Sequence, residues 1–307
     1  MIKNSLLIIN ILIFSFSCSH EEVENLNNSN EFTPFSFVAI ADSHISGNTE
    51  HENRLENTIE WINANTEERN IAFVVILGDI AWGEEYLQRA KNLLSTLEIP
   101  YIPIIGDNVI QAGNEIAFNN TFNDIYLYLS NIYENFNKAP NPVWNDGLQQ
   151  DMYLQNFSFD FQGLHIIGLD WCSRRIDSIQ GEFANLYDFN GATFSWFKSD
   201  IDLAPKENSE NIIMFSHHPM HFFIGAFSSE DYNTIENYTA QYADYVYANM
   251  AGHYHKSWHE IHEIAGYELF VVDAVWNEPT SLEIVDVNLI DGSFTFSHEI
   301  IIIAYLK

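Results

Sequence analysis

The run FSFVAIADSH (residues 35–44) decides the fold: a stretch apolar apart from Ser36 ends with no linker in Asp42 and His44. Four further runs follow the same grammar. IAFVVILGD (71–79) ends in Asp79, YIPIIGD (101–107) in Asp107, IIMFSH (212–217) in His217, and YVYANMAGHYH (245–255) in His253 and His255. Each apolar run has strand length and is bounded by Gly, Asp, Asn or His, and a sixth, LHIIGL (164–169), ends in Asp170.

Between the runs, Leu55, Ile59 and Ile62 recur at helical spacing, as do Tyr86, Ala90, Leu93, Leu94 and Leu97, and later Phe194, Phe197 and Ile201. Strand, helix, strand order argues for an α/β sandwich of sheets and helices. The tail differs, because residues 282–287 and 293–303 flank Asp291 and Gly292, which reads as a C-terminal β-hairpin closing the second sheet. Two long connections, 109–153 and 220–244, are rich in Asn, Phe and Tyr and have the length of functional lids or of loops carrying a short helix.

One Asp after one strand is ordinarily a helix cap or a turn former. Five strand ends carrying Asp or His in the same topological place are better explained as a site, since α/β sheets build sites at strand carboxyl ends. Residues two apart on an extended strand point the same way, so Asp42 with His44 and His253 with His255 are expected to direct paired ligands to one point. Imidazole and carboxylate together suit Zn, Mn or Fe better than Ca or Mg.

The order of these segments resembles the calcineurin-like metallophosphoesterase superfamily, whose pattern is DxH, GDxx(D/Y/N), GNH(D/E), a strand-end His near a Pro, and GHxH. Here they stand as Asp42-Ser43-His44, Gly78-Asp79-Ile80-Ala81-Trp82, Gly106-Asp107-Asn108, His217-His218-Pro219 and Gly252-His253-Tyr254-His255. The resemblance implies a sandwich of two mixed sheets flanked by helices and two transition-metal ions, divalent or trivalent. It assigns Asp42, His44 and His255 to the first ion, Asp107, His217 and His253 to the second, and Asp79 as the bridge. The implied reaction is hydrolysis of a phosphate mono- or diester by a hydroxide between the ions, on a small phosphorylated substrate.

Two positions depart from the family. Asp107 and Asn108 stand where it has Asn and a His that assists the leaving group; Asp107 keeps an oxygen donor, but Asn108 cannot give up a proton at neutral pH. His218, with His221 as a second choice, is the nearest substitute in sequence, so Asn108 and His218 are the candidate catalytic positions. A catalytically weak or inactive protein that holds metal and binds a phosphorylated ligand is the competing reading. Trp82 has no lone pair for a cation and is expected to pack beside the site. Arg174 and Arg175 are read as surface ion pairs, with a phosphate contact as the alternative; Asp170 is read as a cap or turn residue, and His259 and His262 as exposed residues or supports behind the ligands, with an extra metal site as the alternative if they are helical. Phe222, Phe223 and Phe227 are candidate walls for the organic part of a substrate.

Composition sets the remaining bounds. The net charge of −31, from 43 acidic against 12 basic side chains, disfavours binding to long nucleic acid or an anionic membrane face. Residues 1–17 place Lys3 before a short apolar run and read as a signal peptide. Ser15-Phe16-Ser17-Cys18 resembles a bacterial lipobox, so Cys18 is expected to carry lipid, residues 18–33 to form a flexible tether, and 34–307 to form the phosphoesterase domain. An exported lipoprotein facing the periplasm or cell exterior follows, touching membrane only through that anchor and leaving Cys172 as its one thiol.

Overall fold

The computed structural model describes residues 32–111, 113–174, 183–221 and 226–304. The leader, Cys18, most of the tether, Arg175, Phe222 and Phe223 lie outside the described residues. In the first half of the chain the elements are β1 (Phe35–Ile40), α1 (Thr49–Asn65), β2 (Ile71–Ile76), α2 (Glu84–Leu94), β3 (Tyr101–Pro103), α3 (Asp107–Gln111), α4 (Glu115–Ile132), β4 (Glu134–Lys138), β5 (Val143–Asn145) and β6 (Gln150–Met152). The second half adds β7 (Phe157–Phe161), β8 (Leu164–Leu169), α5 (Thr193–Leu203), β9 (Ile212–Ser216), α6 (Ser229–Thr239), β10 (Val246–Ala251), β11 (Trp258–Ile261), β12 (Glu268–Val271), β13 (Thr280–Ile290) and β14 (Ser293–Ile303).

Two mixed sheets carry the fold. One runs β14-β13-β1-β2-β3 and the other β11-β12-β10-β9-β8-β7-β4, with β5 and β6 as a separate ribbon. Pleating sorts the side chains of the second sheet onto two faces. Ile166, Ile213, Phe215, Ala248 and Met250 enter one buried cluster with Phe37, Phe73 and Ile284 of the first sheet, so that face packs sheet on sheet. Their neighbours Ile167, Leu169, Ile212, Met214 and Val246 enter another cluster with Phe194, Phe197 and Ile201 of α5 and Ile235 of α6. On the far side, Leu55, Ile59 and Ile62 of α1 and Leu87, Ala90 and Leu94 of α2 cover the first sheet. The two-sheet sandwich flanked by helices is the architecture expected.

The C-terminal hairpin forms with its turn at Asp291 and Gly292, both at positive φ (51° and 80°). It joins the first sheet, not the second, because β13 pairs antiparallel with β1 along Phe35↔Val287 to Ala39↔Glu283. The connection 109–153 is no open lid: it contains α4, whose Phe118, Phe122, Tyr126 and Leu129 are buried in the core. The connection 220–244 contains α6, started by the Ser228 side chain accepting the Asp231 amide N–H. Among the described residues, no helix is long and apolar enough to cross a membrane.

Candidate metal centre

β1, β2 and β3 are parallel neighbours, as are β9 and β10, so both sheets present several strand carboxyl ends together. Asp42, His44, Asp79 and Asp107 arrive from the first sheet, and His217, His253 and His255 from the second. All seven meet. Donor atoms of Asp42, His44, Asp79 and His255 lie within 4.8 Å of one another, as do those of Asp107, His217 and His253, each a group able to hold a metal ion.

The convergence does not come from the strand pleat expected from the sequence. Asp42, His44, Asp79, His253 and His255 lie past the strand ends at φ between 45° and 69°, in the left-handed region that costs a non-glycine residue about 1–3 kcal/mol. Tight turns, not extended backbone, aim these side chains. Loop-to-loop hydrogen bonds hold the turns: Asp42 N–H to Gly78 O (3.2 Å), His44 N–H to Asp79 O (2.9 Å) and Gly252 N–H to His217 O (3.0 Å). Asp42 Oδ2 accepts the His253 N–H at 3.0 Å, which ties the two sheets at the centre itself.

The glycines before the ligands are required by proximity. A Cβ on Gly106 would stand 2.1 Å from Asp79 N and Oδ1, and one on Gly252 would stand 2.7 Å from Asp42 Oδ2 and Leu77 O.

Asp79 occupies the middle, with Oδ2 3.5 Å from His44 Nε2 and Oδ1 3.5 Å from His217 Nε2. Its two oxygens therefore face the two groups. Three carboxylates, Asp42, Asp79 and Asp107, are buried together. Burial pushes the Asp79 carboxyl well up; His217 opposes this, and the charges of Asp107 and Asp42 add to the rise. Burial also acts against ionised Asp42 and Asp107, but the imidazoles of His255 and His44 beside Asp42, and of His217 and His253 beside Asp107, hold both below the ordinary range. Burial opposes the His217 imidazolium, yet Asp79, Asp107 and Asp42 push its pKa up to about 10. Asp42 Oδ1 is buried with no hydrogen-bond partner. A cluster this acidic, with an orphaned carboxylate oxygen aimed into it, has the chemistry of a cation site.

His217 Nδ1 donates to Leu77 O at 3.0 Å, which leaves Nε2 for the site. The mixed imidazole and carboxylate donors fit a pair of metal ions.

A family model described as calcineurin-like phosphoesterase matches residues 35–257, which contain all seven of these residues. The chain belongs to this family. The fold of a dimetal phosphatase from Danio rerio is similar, with TM-score 0.57 at 13% identity over 89% of this chain and 100% of that one. So is that of a sulfate thiohydrolase from Thermus thermophilus in complex with glycerol, with TM-score 0.51 at 12% identity over 87% of this chain and 56% of that one. At these identities the likeness is one of fold. No curated protein sequence matches the chain.

Around this phosphoesterase centre the remaining candidates separate. Asn108 is buried at its edge, its backbone N–H donating to Asp79 Oδ1 (3.0 Å) and its side-chain amide 3.1 Å from His44 Nδ1. His218 is fully buried, its ring 4.5 Å from that of His253 and its Nδ1 3.7 Å from Cys172 Sγ. His221 instead pairs with Glu260 at 2.9 Å. Trp82 is 43% exposed, and its backbone N–H donates to Ile45 O, next to His44, at 2.9 Å.

Arg174 is neither a surface ion pair nor a phosphate ligand. It is buried, forks onto Asp170 (2.7 and 2.6 Å) and reaches Glu115 (2.8 Å). Asp170 is accordingly the buried partner of a guanidinium as well as the acceptor of the Gln155 and Cys172 N–H groups. His259 lies on strand β11, stacks on Phe270 and pairs with Glu268, while His262 follows the strand and contacts Tyr232, so the helical spacing that would pair them does not arise. Phe227 is buried against Trp171 and also lines a cavity with Ser173, Phe183 and Asp231.

Sequence reasoning missed His51 and Trp276. His51 Nδ1 donates to His44 O at 2.9 Å, and the Trp276 ring lies 5.5–5.8 Å from those of His44, His51 and His255. Asn277, next to that tryptophan, donates its side-chain N–H to His255 O at 2.9 Å. No local pattern marks this wall, because Trp276 reaches the ligands only through the return from β12 to β13.

Proposed function

We propose that this protein hydrolyses phosphate esters of small substrates, with Asp42, His44 and His255 holding one metal ion, Asp107, His217 and His253 a second, and Asp79 shared between them. The observation that carries this is Asp79, whose two carboxylate oxygens face the two donor groups at equal 3.5 Å distances from His44 and His217. When bound, Mn, Zn or Fe would supply Lewis acidity to the phosphoryl oxygens and make a water acidic enough to attack phosphorus at neutral pH.

The chain's own residues do the rest. The strained turns at Asp42, His44, Asp79, His253 and His255 preset the donor directions before any ligand arrives, and the backbone N–H groups of Asn108 and His253 fix the orientation of Asp79 and Asp42. The His218 ring lies 4.5 Å from that of His253 and 5.1 Å from that of His217, and we assign it to the leaving-group side of the substrate. From residues 1–18 we further propose export, with a lipid anchor on Cys18 and the domain facing the periplasm or the cell exterior.

The test is to strip the protein of metal, reload it with Mn²⁺ or Zn²⁺, and assay nitrophenyl phosphate and bis(nitrophenyl) phosphate. Metal-dependent release of nitrophenol from either ester, lost in Asp79→Asn, supports hydrolysis. Two bound ions without turnover of either ester favour the second reading, a metal-holding binder of phosphorylated ligands. The observation on its side is that Asn108, standing where the family has its leaving-group histidine, faces a ligand histidine at 3.1 Å.

A further inference from the structure

We propose that Asn108 is a positioning residue, whose side-chain oxygen accepts the Nδ1 proton of His44 and so keeps His44 Nε2 free and aimed at the first metal ion. The inference rests on the two-ion reading above and gives the altered third motif a task of its own.

His44 Nε2 points into the donor group, 3.2 Å from His255 Nε2, 3.5 Å from Asp79 Oδ2 and 3.8 Å from Asp42 Oδ1. A neutral imidazole that gives its Nε2 lone pair to a cation carries its proton on Nδ1, and that proton needs an acceptor. The side-chain atom that meets Nδ1 is Nδ2 of Asn108, at 3.1 Å. An amide rotated by 180° keeps its shape and exchanges oxygen for nitrogen, so the donor set decides which end faces His44. With nitrogen toward Nδ1, His44 would hold its proton on Nε2 and have nothing to give a metal. With oxygen toward Nδ1, the metal-ready tautomer is fixed.

The second contact of Asn108 points the same way. Its backbone N–H donates to Asp79 Oδ1 at 3.0 Å, so one residue orients both a ligand histidine and the carboxylate shared by the two groups. Its side chain is buried at the edge of the centre, where water competes poorly for the Nδ1 proton. His44 is also held through its backbone carbonyl, which accepts from His51 Nδ1 at 2.9 Å. Partners of this kind usually change metal affinity by about 10–100-fold when removed.

Two replacements of nearly equal size separate positioning from simple packing. Asn108→Asp keeps an oxygen acceptor for Nδ1–H; Asn108→Leu keeps the volume and removes the acceptor. Both leave the backbone N–H to Asp79 in place. The readouts are competitive Zn²⁺ titration of the metal-free protein against a chromophoric chelator, and long-range ¹H–¹⁵N spectra of the histidine rings in the zinc-loaded protein.

Wild type and Asn108→Asp should bind two ions and show a His44 Nδ1 proton protected from solvent exchange. Asn108→Leu should weaken one of the two ions by about 10–100-fold, leave the other unchanged, and lose that protection. Equal affinities in all three proteins would overturn the proposal, as would an Asn108→Asp protein weakened as much as Asn108→Leu. Should Asn108→Leu fail to fold, the wild-type spectrum decides: a His44 Nδ1 proton exchanging freely with water overturns it. A wild type that takes up no zinc sinks the two-ion reading and this inference together, whereas two tightly bound ions with no response to Asn108→Leu sinks the inference alone.

Discussion

His165 offers a stability prediction that is independent of metal. It lies on β8 with both ring nitrogens engaged, Nδ1 with Asp160 Oδ1 at 2.6 Å and Nε2 with Asp200 Oδ2 at 3.1 Å. Asn135 donates to Asp160, and Asn137 and Ser158 donate to Asp200, so the cluster joins β4, β7, β8 and α5. Burial works against the imidazolium, but the two carboxylates override it and raise the pKa from 6.5 to about 9. At roughly 1.4 kcal/mol for each tenfold change in proton affinity, that preference is worth about 3 kcal/mol. Because the folded value is the higher one, this contribution is complete below about pH 6.5 and disappears as pH rises through about 9. Urea unfolding of wild type and His165→Leu at about pH 6 and pH 10 measures it, since groups common to both proteins cancel in the difference. Wild type should lose about 3 kcal/mol more than the variant over that span, and the variant should be the less stable at pH 6 because two carboxylates are left facing each other. Equal pH dependence in the two proteins would refute the charged-histidine account.

Other expectations follow from the centre and its approaches. Gly106→Ala should cost at least about 1–3 kcal/mol by thermal unfolding and reduce metal uptake, because its methyl would meet the Asp79 backbone, which cannot rotate away. With three carboxylates around two dications and no family histidine at 108, turnover should favour nitrophenyl over alkyl esters by about 10²–10⁴-fold, the usual worth of a proton donor; equal rates on both would mean that another group, with His218 first to be replaced, protonates the leaving group. Arg174→Met should leave metal stoichiometry intact while lowering stability by roughly 3–5 kcal/mol, since it strands buried Asp170 without its partner. Expressed with its own leader, the protein should partition with membranes and Cys18→Ala should not; a wild type released soluble and cleaved elsewhere would end the anchor proposal.

The sandwich was legible because strand-length apolar runs, each closing on Asp or His, encode both the sheet and its business end in adjacent residues. The seven residues of the two donor groups could be read for the same reason: Asp42 and His44, or His253 and His255, need no tertiary information to be noticed. How they converge was not legible. A strand pleat and a left-handed turn can both bring residues two apart to one point, and nothing in Asp42-Ser43-His44 announces φ near 50°. Long-range packing hid the rest. Arg174 reads as a surface cation until Asp170 and Glu115 close over it, and Trp276 reads as an ordinary loop aromatic until the return from β12 sets it against His44, His51 and His255. The hairpin was legible as a hairpin, yet its sheet was not, because pairing β13 with β1 depends on residues some 250 positions apart.

The central claim is that two ions share Asp79, and anomalous X-ray diffraction at the edge of the bound metal tests it most directly. Crystals of protein loaded with Mn²⁺ or Zn²⁺ should show two anomalous peaks roughly 3.5–4 Å apart. One should sit among Asp42, His44 and His255, the other among Asp107, His217 and His253, with an Asp79 oxygen on each or one shared. A single peak, or none at full metal saturation, would contradict the account.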